Sequence, residues 1–269
     1  MRQMTGQTRV LVAGAAVLTA VMLLLITLPL ASLLLRAAPG LLALSSPLGP
    51  VKEALLLTLT TATVATACAV GIGTPLAYGT ARCRSRAATV IDTVIDLPLV
   101  LPPAVAGLAL LMAFGRRGVI GGYLHQAGID IAFSTAAVVI AQIFVASPLY
   151  IRQARTSFAA LDPVYEQAAR TLGATPLYTF LHITVPMASR GLLSGAVMTW
   201  ARALGEFGAT IMFAGNLPGI TQTMPLAIYS MMQENLDGAL AMAVLLVVMS
   251  GGVIVAVRAL TRRGEEYDT

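Results

Sequence analysis

Long stretches without an ionisable side chain set the pattern of this chain. Arg9 and Arg36 bracket 26 uncharged residues, and Glu53 and Arg82 bracket 28. Shorter windows run from Leu97 to Gly115 (19 residues), Ile131 to Ile151 (21) and Gly238 to Val257 (20). Each suffices for a helix crossing about 30 Å of hydrocarbon at about 1.5 Å per residue. A further apolar stretch from Gly191 to about Phe213 is interrupted by Arg202 and Glu206 and counts as the fifth crossing. The pattern predicts an all-α integral membrane protein with six transmembrane helices. Arg2 and Arg9 suit the start of a signal peptide, but its apolar region spans about 7–15 residues. The first window is read as an uncleaved helix.

Breakers refine the boundaries. Leu97–Pro98–Leu99–Val100–Leu101–Pro102–Pro103 should kink or break the third span, because proline removes backbone donors. Pro75 should kink the second. Asp92 and Asp96 precede the third window, where carboxylates favour a helix N-terminus. After Glu206 the residues Gly208, Gly215, Asn216, Pro218, Gly219 and Pro225 argue against a seventh span, and Asn216–Gly219 reads as a turn. The fifth helix is therefore expected to end near Ala214, leaving Gly215–Asp237 as a loop, re-entrant or packed inside protein.

Charge sets the direction. With six crossings and the N-terminus inside, twelve arginines fall on cytoplasmic segments: Arg2, Arg9, Arg82, Arg84, Arg86, Arg152, Arg155, Arg170, Arg190, Arg258, Arg262 and Arg263. Only Arg36, Lys52, Arg116 and Arg117 fall outside, so the positive-inside rule places both termini in the cytoplasm. The net charge of +5 then suits loops facing anionic lipid and requires no nucleic-acid partner. Composition agrees: 57% of residues are hydrophobic and 11% charged, too few charges to solvate a globule of 269 residues. Cys68 and Cys83 form no disulfide scaffold, and His125 and His182 lack a second ligand at metal-site spacing. No metal or cofactor is expected.

One cytoplasmic loop, from about Arg152 to Arg190, is large enough to hold structure. Asp162–Pro163 is a helix start, an N-cap followed by proline at the first helical position. Glu166 and Arg170 stand at i,i+4 in the favourable order, and Gly173 suits the position after the C-cap. Thr175–Pro176 begins a second short helix, which Pro186 limits. Ala168, Ala169 and Gly173 allow close approach by a partner groove. A helix lying on the membrane surface would need a strong apolar face edged with cations, and this one has little of either.

The pattern Glu166-x-Ala168-Ala169-x-x-x-Gly173, with Ile183 and Val185–Pro186 following, resembles the EAA loop of bacterial ABC-importer permeases. Val185 stands where that family usually has leucine. The resemblance covers about Glu53 to Arg258. It implies a type I importer permease core at residues 53–258 with a coupling loop at about 160–186. Residues 1–52 form an added helix with its external loop, and residues 259–269 a cytoplasmic tail. By resemblance, Glu166, Ala168, Ala169 and Gly173 couple to an ABC ATPase subunit dimer. The other implied partners are a second copy of the chain and an extracytoplasmic oxyanion-binding protein, at the bacterial inner membrane. The stretch Ala201–Thr210, the turn Gly215–Gly219 and the run Thr221–Tyr229 resemble the molybdate branch, and more distantly the sulfate/thiosulfate permeases.

Arg202 and Glu206 are the ionisable residues well inside a predicted span, each costing about 2.5–3.5 kcal/mol at a helix centre. Two readings stay open. They form a buried pair, within the helix or across a subunit interface; or they flank a water-filled path at a gate that Gly205 and Gly208 loosen, with Asn216 in the turn beyond. The chain has no Gly-x-x-x-x-Gly-Lys-Ser/Thr phosphate loop and no nucleophile–base constellation. It is therefore expected to be non-catalytic, with ATP hydrolysis on a separate chain. The different-class alternative, an ion-coupled secondary carrier, calls for midplane acidic relays or inverted repeats.

Overall fold

Backbone groups in hydrocarbon must find partners within their own segment, and in the computed structural model of the chain the regular elements of the described residues, 6–43, 48–83 and 85–263, are all helices. The helices are α1 (Gly6–Ala43), α2 (Leu48–Arg82), α3 (Arg86–Val100), α4 (Pro103–Phe114), α5 (Gly121–Gln126) and α6 (Thr135–Ala159). They continue as α7 (Pro163–Thr171), α8 (Pro176–Thr179), α9 (Val185–Leu204), α10 (Gly208–Phe213), α11 (Met224–Glu234) and α12 (Leu236–Arg263). The chain divides into two units. One holds residues 1–48 and 228–246, chiefly α1; the other holds residues 49–227 and 247–269 and carries every candidate site. The assignment of both termini to the cytoplasm falls on residues 1–5 and 264–269, outside the described residues.

Among the described residues, four helices are long and apolar enough to cross a membrane: Leu11–Ala37, Pro50–Arg82, Thr135–Ala159 and Leu236–Val253. The pair α3 and α4, bent by 115°, makes a fifth if counted as one span. The expected third span, Leu97–Gly115, thus becomes a broken one. Pro102 and Pro103 take the N-cap and first position of α4, where a missing N–H costs nothing. Asp92 and Asp96 do not sit at a helix start. Ser85 caps α3, accepting from the Ala88 N–H at 3.2 Å, and the two carboxylates lie further along it, paired with Arg155 at 2.8 Å and Arg152 at 2.5 Å on α6. Pro75 stays inside α2, which runs on unbroken.

The expected fifth crossing also divides. α9 ends at Leu204 and α10 begins at Gly208, so the span is interrupted at Gly205–Phe207. Nor is Gly215–Asp237 only loop, since α11 lies within it. Pro186 does not end a second short helix either. α8 passes through a π-helical turn, Phe180–Thr184, straight into α9, with the Val185 N–H bonding the Phe180 carbonyl. The wider turn shifts the ladder so that Pro186, which has no N–H, falls in the first turn of α9.

Inside the second unit small residues carry the packing. Ala62, Ala65, Ala69 and Ala77 of α2 and Ala137, Ala141, Ala146 and Ala154 of α6 are all buried, because without a hydrophobic drive between helices backbones must approach closely to gain contact. Threonine hydroxyls along α2 bond carbonyls one turn back, as Thr58 does to Ala54 at 2.6 Å and Thr66 to Ala62 at 2.8 Å. A close backbone approach joins α4 to α10: a Cβ on Gly107 would stand 2.6 Å from the Ala209 carbonyl oxygen. Gly107→Ala is expected to cost about 1–3 kcal/mol, read as a lower unfolding temperature in detergent. Gly71→Ala, where a Cβ meets nothing within 4 Å, is expected to leave that temperature unchanged or raise it through helix propensity.

Candidate functional site

The loop after α6 folds as its residues dictate. The Asp162 carboxylate accepts the Val164 N–H at 2.9 Å, and Pro163 opens α7. At the other end Gly173 takes φ +87°, closing the helix with bonds from Ala174 N–H to Ala169 O and from Gly173 N–H to Arg170 O, both 3.0 Å. This is a Schellman motif, which glycine enters without a steric penalty.

Glu166 does something its sequence position did not announce. Its carboxylate is buried and faces not Arg170, which is exposed, but the last turn of α2: Arg82 Nη2 lies 2.7 Å from Oε1. Tyr78 donates its hydroxyl to Oε2 at 3.1 Å, and Thr184 in the π turn donates to Oε1 at 3.1 Å. Arg82 Nη1 also reaches the Leu161 carbonyl at 3.3 Å. Beneath them the Tyr78 ring meets Phe158 edge-on, centroids 5.5 Å apart, and leans on Phe180 at 4.9 Å. One carboxylate thus ties the loop to α2 and to the start of α9. The i,i+4 spacing with Arg170 thus does not set the partner of Glu166, which pairs with Arg82 instead. Burial raises its pKa, but the hydrogen bonds from Arg82, Tyr78 and Thr184 and the Arg82 charge outweigh that and hold it below the usual glutamate range.

The four loop residues separate by facing. Glu166 and Ala169 turn inward, while Ala168 and Gly173 are exposed. Around them an apolar surface stands open, with Leu172 at 89% exposure and Val164, Tyr165, Leu177 and Tyr178 each above half. Tyr178 stacks on His182, centroids 4.2 Å apart and planes 14° from parallel. The loop therefore has more apolar face than α7 alone indicated, because the turn and α8 supply it.

About 30 Å along α9, at about 1.5 Å per residue, lies the interrupted span. Glu206 is 2% exposed; Oε2 pairs with Arg202 Nη1 at 2.8 Å and Oε1 accepts the Ala209 N–H at 2.8 Å. The same side chain neutralises Arg202 and caps α10. Gly205 faces open space, and Gly208 packs directly on Pro103 of α4. Arg202, Gly205, Glu206 and Gly208 come together here; Asn216 belongs to the next turn, where it accepts from Gln222 Nε2 at 3.0 Å. Gly215 and Gly219 flank that turn at φ +76° and +74°, and the Met224 N–H beyond it bonds Thr58 Oγ1 of α2 at 2.7 Å.

Residues 69–264 match the family described as the binding-protein-dependent transport system inner membrane component. The chain belongs to this family. Its match takes in the loop, the interrupted span and the turn, and starts within α2. The molybdenum transport system permease protein ModB of Mycobacterium bovis is 46% identical over 215 residues, 80% of this chain and 81% of that one. The ModB protein of Escherichia coli K12 is 42% identical over 185 residues, 68% and 81% respectively. The fold also matches a bacterial ABC transporter that imports the acidic polysaccharide alginate, with a TM-score of 0.73 over 95% of this chain and 96% of that one, at 16% identity. Family members are membrane components of transport systems.

Sequence reasoning missed Tyr78, Arg82 and Thr184 as members of the loop site. Arg82 was counted for its charge alone. A signal did exist for the pairs at α3: Asp92 and Asp96 are one turn apart, and Arg152 and Arg155 repeat nearly that spacing on α6, as facing helices require.

Proposed function

We propose that the chain is the transmembrane permease subunit of an ATP-driven ABC importer that carries molybdate across the cell membrane. The observation that carries this reading is the 42–46% identity to molybdenum permeases over 68–80% of the chain. Since the sequence has no phosphate loop, ATP is hydrolysed by a partner subunit. The buried anchor at Glu166 and the open apolar surface around Ala168, Ala169 and Gly173 support a docking role for the loop against an ABC ATPase subunit dimer. The interruption at Arg202, Gly205, Glu206 and Gly208, with Asn216 in the turn beyond, supports a role for that stretch along the translocation path. The assembly is a homodimer of this chain with two ATPases, fed by an extracytoplasmic oxyanion-binding protein, in a bacterial inner membrane. In this reading α9–α10 completes six crossings with both termini cytoplasmic.

Molybdate and sulfate are both tetrahedral dianions, so charge cannot separate them; size and donor geometry in the binding protein do most of the selecting, and tungstate passes with molybdate. Deleting the gene is expected to abolish molybdoenzyme activity in low molybdate, with rescue by high external molybdate and unchanged growth on sulfate. A strain that instead requires reduced sulfur overturns the cargo in favour of sulfate or thiosulfate.

A further inference from the structure

The interruption of the fifth span has a specific holder. In a continuous α-helix the Ala203 carbonyl would accept from the residue four positions on. Here it accepts from Glu206 N–H at 3.2 Å, from Gly205 N–H at the helix cap, and from the side-chain amide of Gln142 on α6, Nε2 at 3.1 Å. Gln142 is 1% exposed, and its Oε1 is buried without a hydrogen-bond partner among the described residues. A buried polar side chain left half-satisfied costs stability, so its placement calls for a return elsewhere. That return is at the break: the amide donates to the carbonyl one residue after Arg202 and three before Glu206.

The helices that meet at this bond also bracket the coupling loop. α6 leads into the loop and α9 leaves it without interruption through the π turn. Between loop and break they are packed closely. A Cβ on Gly195 of α9 would stand 3.0 Å from Gln153 Cβ of α6, and the Thr199 hydroxyl reaches the Ala146 carbonyl at 3.4 Å. Beyond the break α10 stays against α6, where Ala209 and Phe213 share a core with Ala137, Val138 and Ala141, and also packs on α4, through Gly107 and through Gly208 against Pro103. Across Gly205–Phe207 the chain thus gains α4 as a packing partner while α6 runs alongside both sides of the break.

We infer that Gln142 is a positioning residue for transport: it fixes the end of α9 to α6, so that displacement of the coupling loop reaches the Arg202–Glu206 pair through two helices moving together. This rests on the importer reading given above. The amide acts through the Ala203 carbonyl and does not touch cargo.

The test uses the complete complex of permease, ATPase and binding protein in proteoliposomes, with molybdate as the probe. Gln142→Met keeps length and packing and removes the donor. Thr199→Val removes another polar tie between the same helices, away from the break. The inference expects Gln142→Met to keep its ATPase partner and its ATP hydrolysis while maximal uptake falls about tenfold, raising the ATP consumed per molybdate by that factor, with the half-saturating molybdate unchanged. Thr199→Val should leave the ratio within about twofold. An unchanged ratio in Gln142→Met, a proportional fall in hydrolysis and uptake, or equal uncoupling by Thr199→Val overturns the positioning role. A wild-type complex that hydrolyses ATP but takes up no molybdate instead overturns the importer reading on which it rests.

Discussion

Glu166→Ala should reduce ATP-dependent molybdate uptake at least about tenfold and weaken co-purification with the ATPase. The substitution removes the acceptor shared by Arg82, Tyr78 and Thr184, leaving a guanidinium and two hydroxyls turned into the space it vacates. Breaking a fully buried pair costs about 3–5 kcal/mol. The side chains here are 23% and 12% exposed, so solvent screening reduces that to about 1–3 kcal/mol, where about 1.4 kcal/mol is a factor of ten. Because the loss falls on the seat of the loop and not on a span, membrane insertion should persist. Glu166→Gln keeps an acceptor without the charge and should fall between. Acid should act in the same direction as alanine. The folded-state pKa of Glu166 lies below its unfolded value, so the anchor contributes fully above the ordinary glutamate range and is lost as pH falls through the lowered value. Permease–ATPase co-purification should weaken across that window in the wild type and show a smaller change in Glu166→Gln. Normal uptake and docking in Glu166→Ala would remove the anchor from the account.

The second large effect is expected at Glu206. Glu206→Ala strips Arg202 of its counter-ion and α10 of its cap together, with an expected cost of about 2–4 kcal/mol after allowing for the 35% exposure of Arg202. Thermal unfolding in detergent and uptake should both fall. Because the two residues interact directly, the double variant Arg202→Met/Glu206→Gln should lose less than the sum of its singles. Exchanging the charges restores attraction but not the acceptor for the Ala209 N–H, since arginine has no acceptor. The exchanged pair should therefore recover only part of the loss. Additive single effects would show that the ion pair is not the unit that matters.

How far the sequence announced this arrangement varies by residue. Caps and turns were readable because their cause is local: Gly173, Gly215 and Gly219 take a positive φ that few residues adopt, and Asp162–Pro163 supplies an acceptor and a missing N–H where a helix begins. The break at Pro102–Pro103 was readable for the same reason. The break after Leu204 was not, because it depends on partners far along the chain, Gln142 on α6 and Pro103 under Gly208. Glu166 was misjudged likewise. A helical neighbour four residues away is visible in sequence, whereas an arginine 84 residues earlier is not. Composition located the spans but could not say that α9, diluted by Ser189, Arg190, Ser194 and Arg202, would fall outside the described helices apolar enough to cross.

Transport in a defined system separates an ATP-driven importer from an ion-coupled carrier. Proteoliposomes holding this chain with its ATPase, supplied with the oxyanion-binding protein, should accumulate radiolabelled molybdate only when ATP is present, with tungstate competing and sulfate in excess leaving uptake largely unchanged. Accumulation driven by an ion gradient without ATP, or suppression by sulfate as strong as that by tungstate, would contradict it.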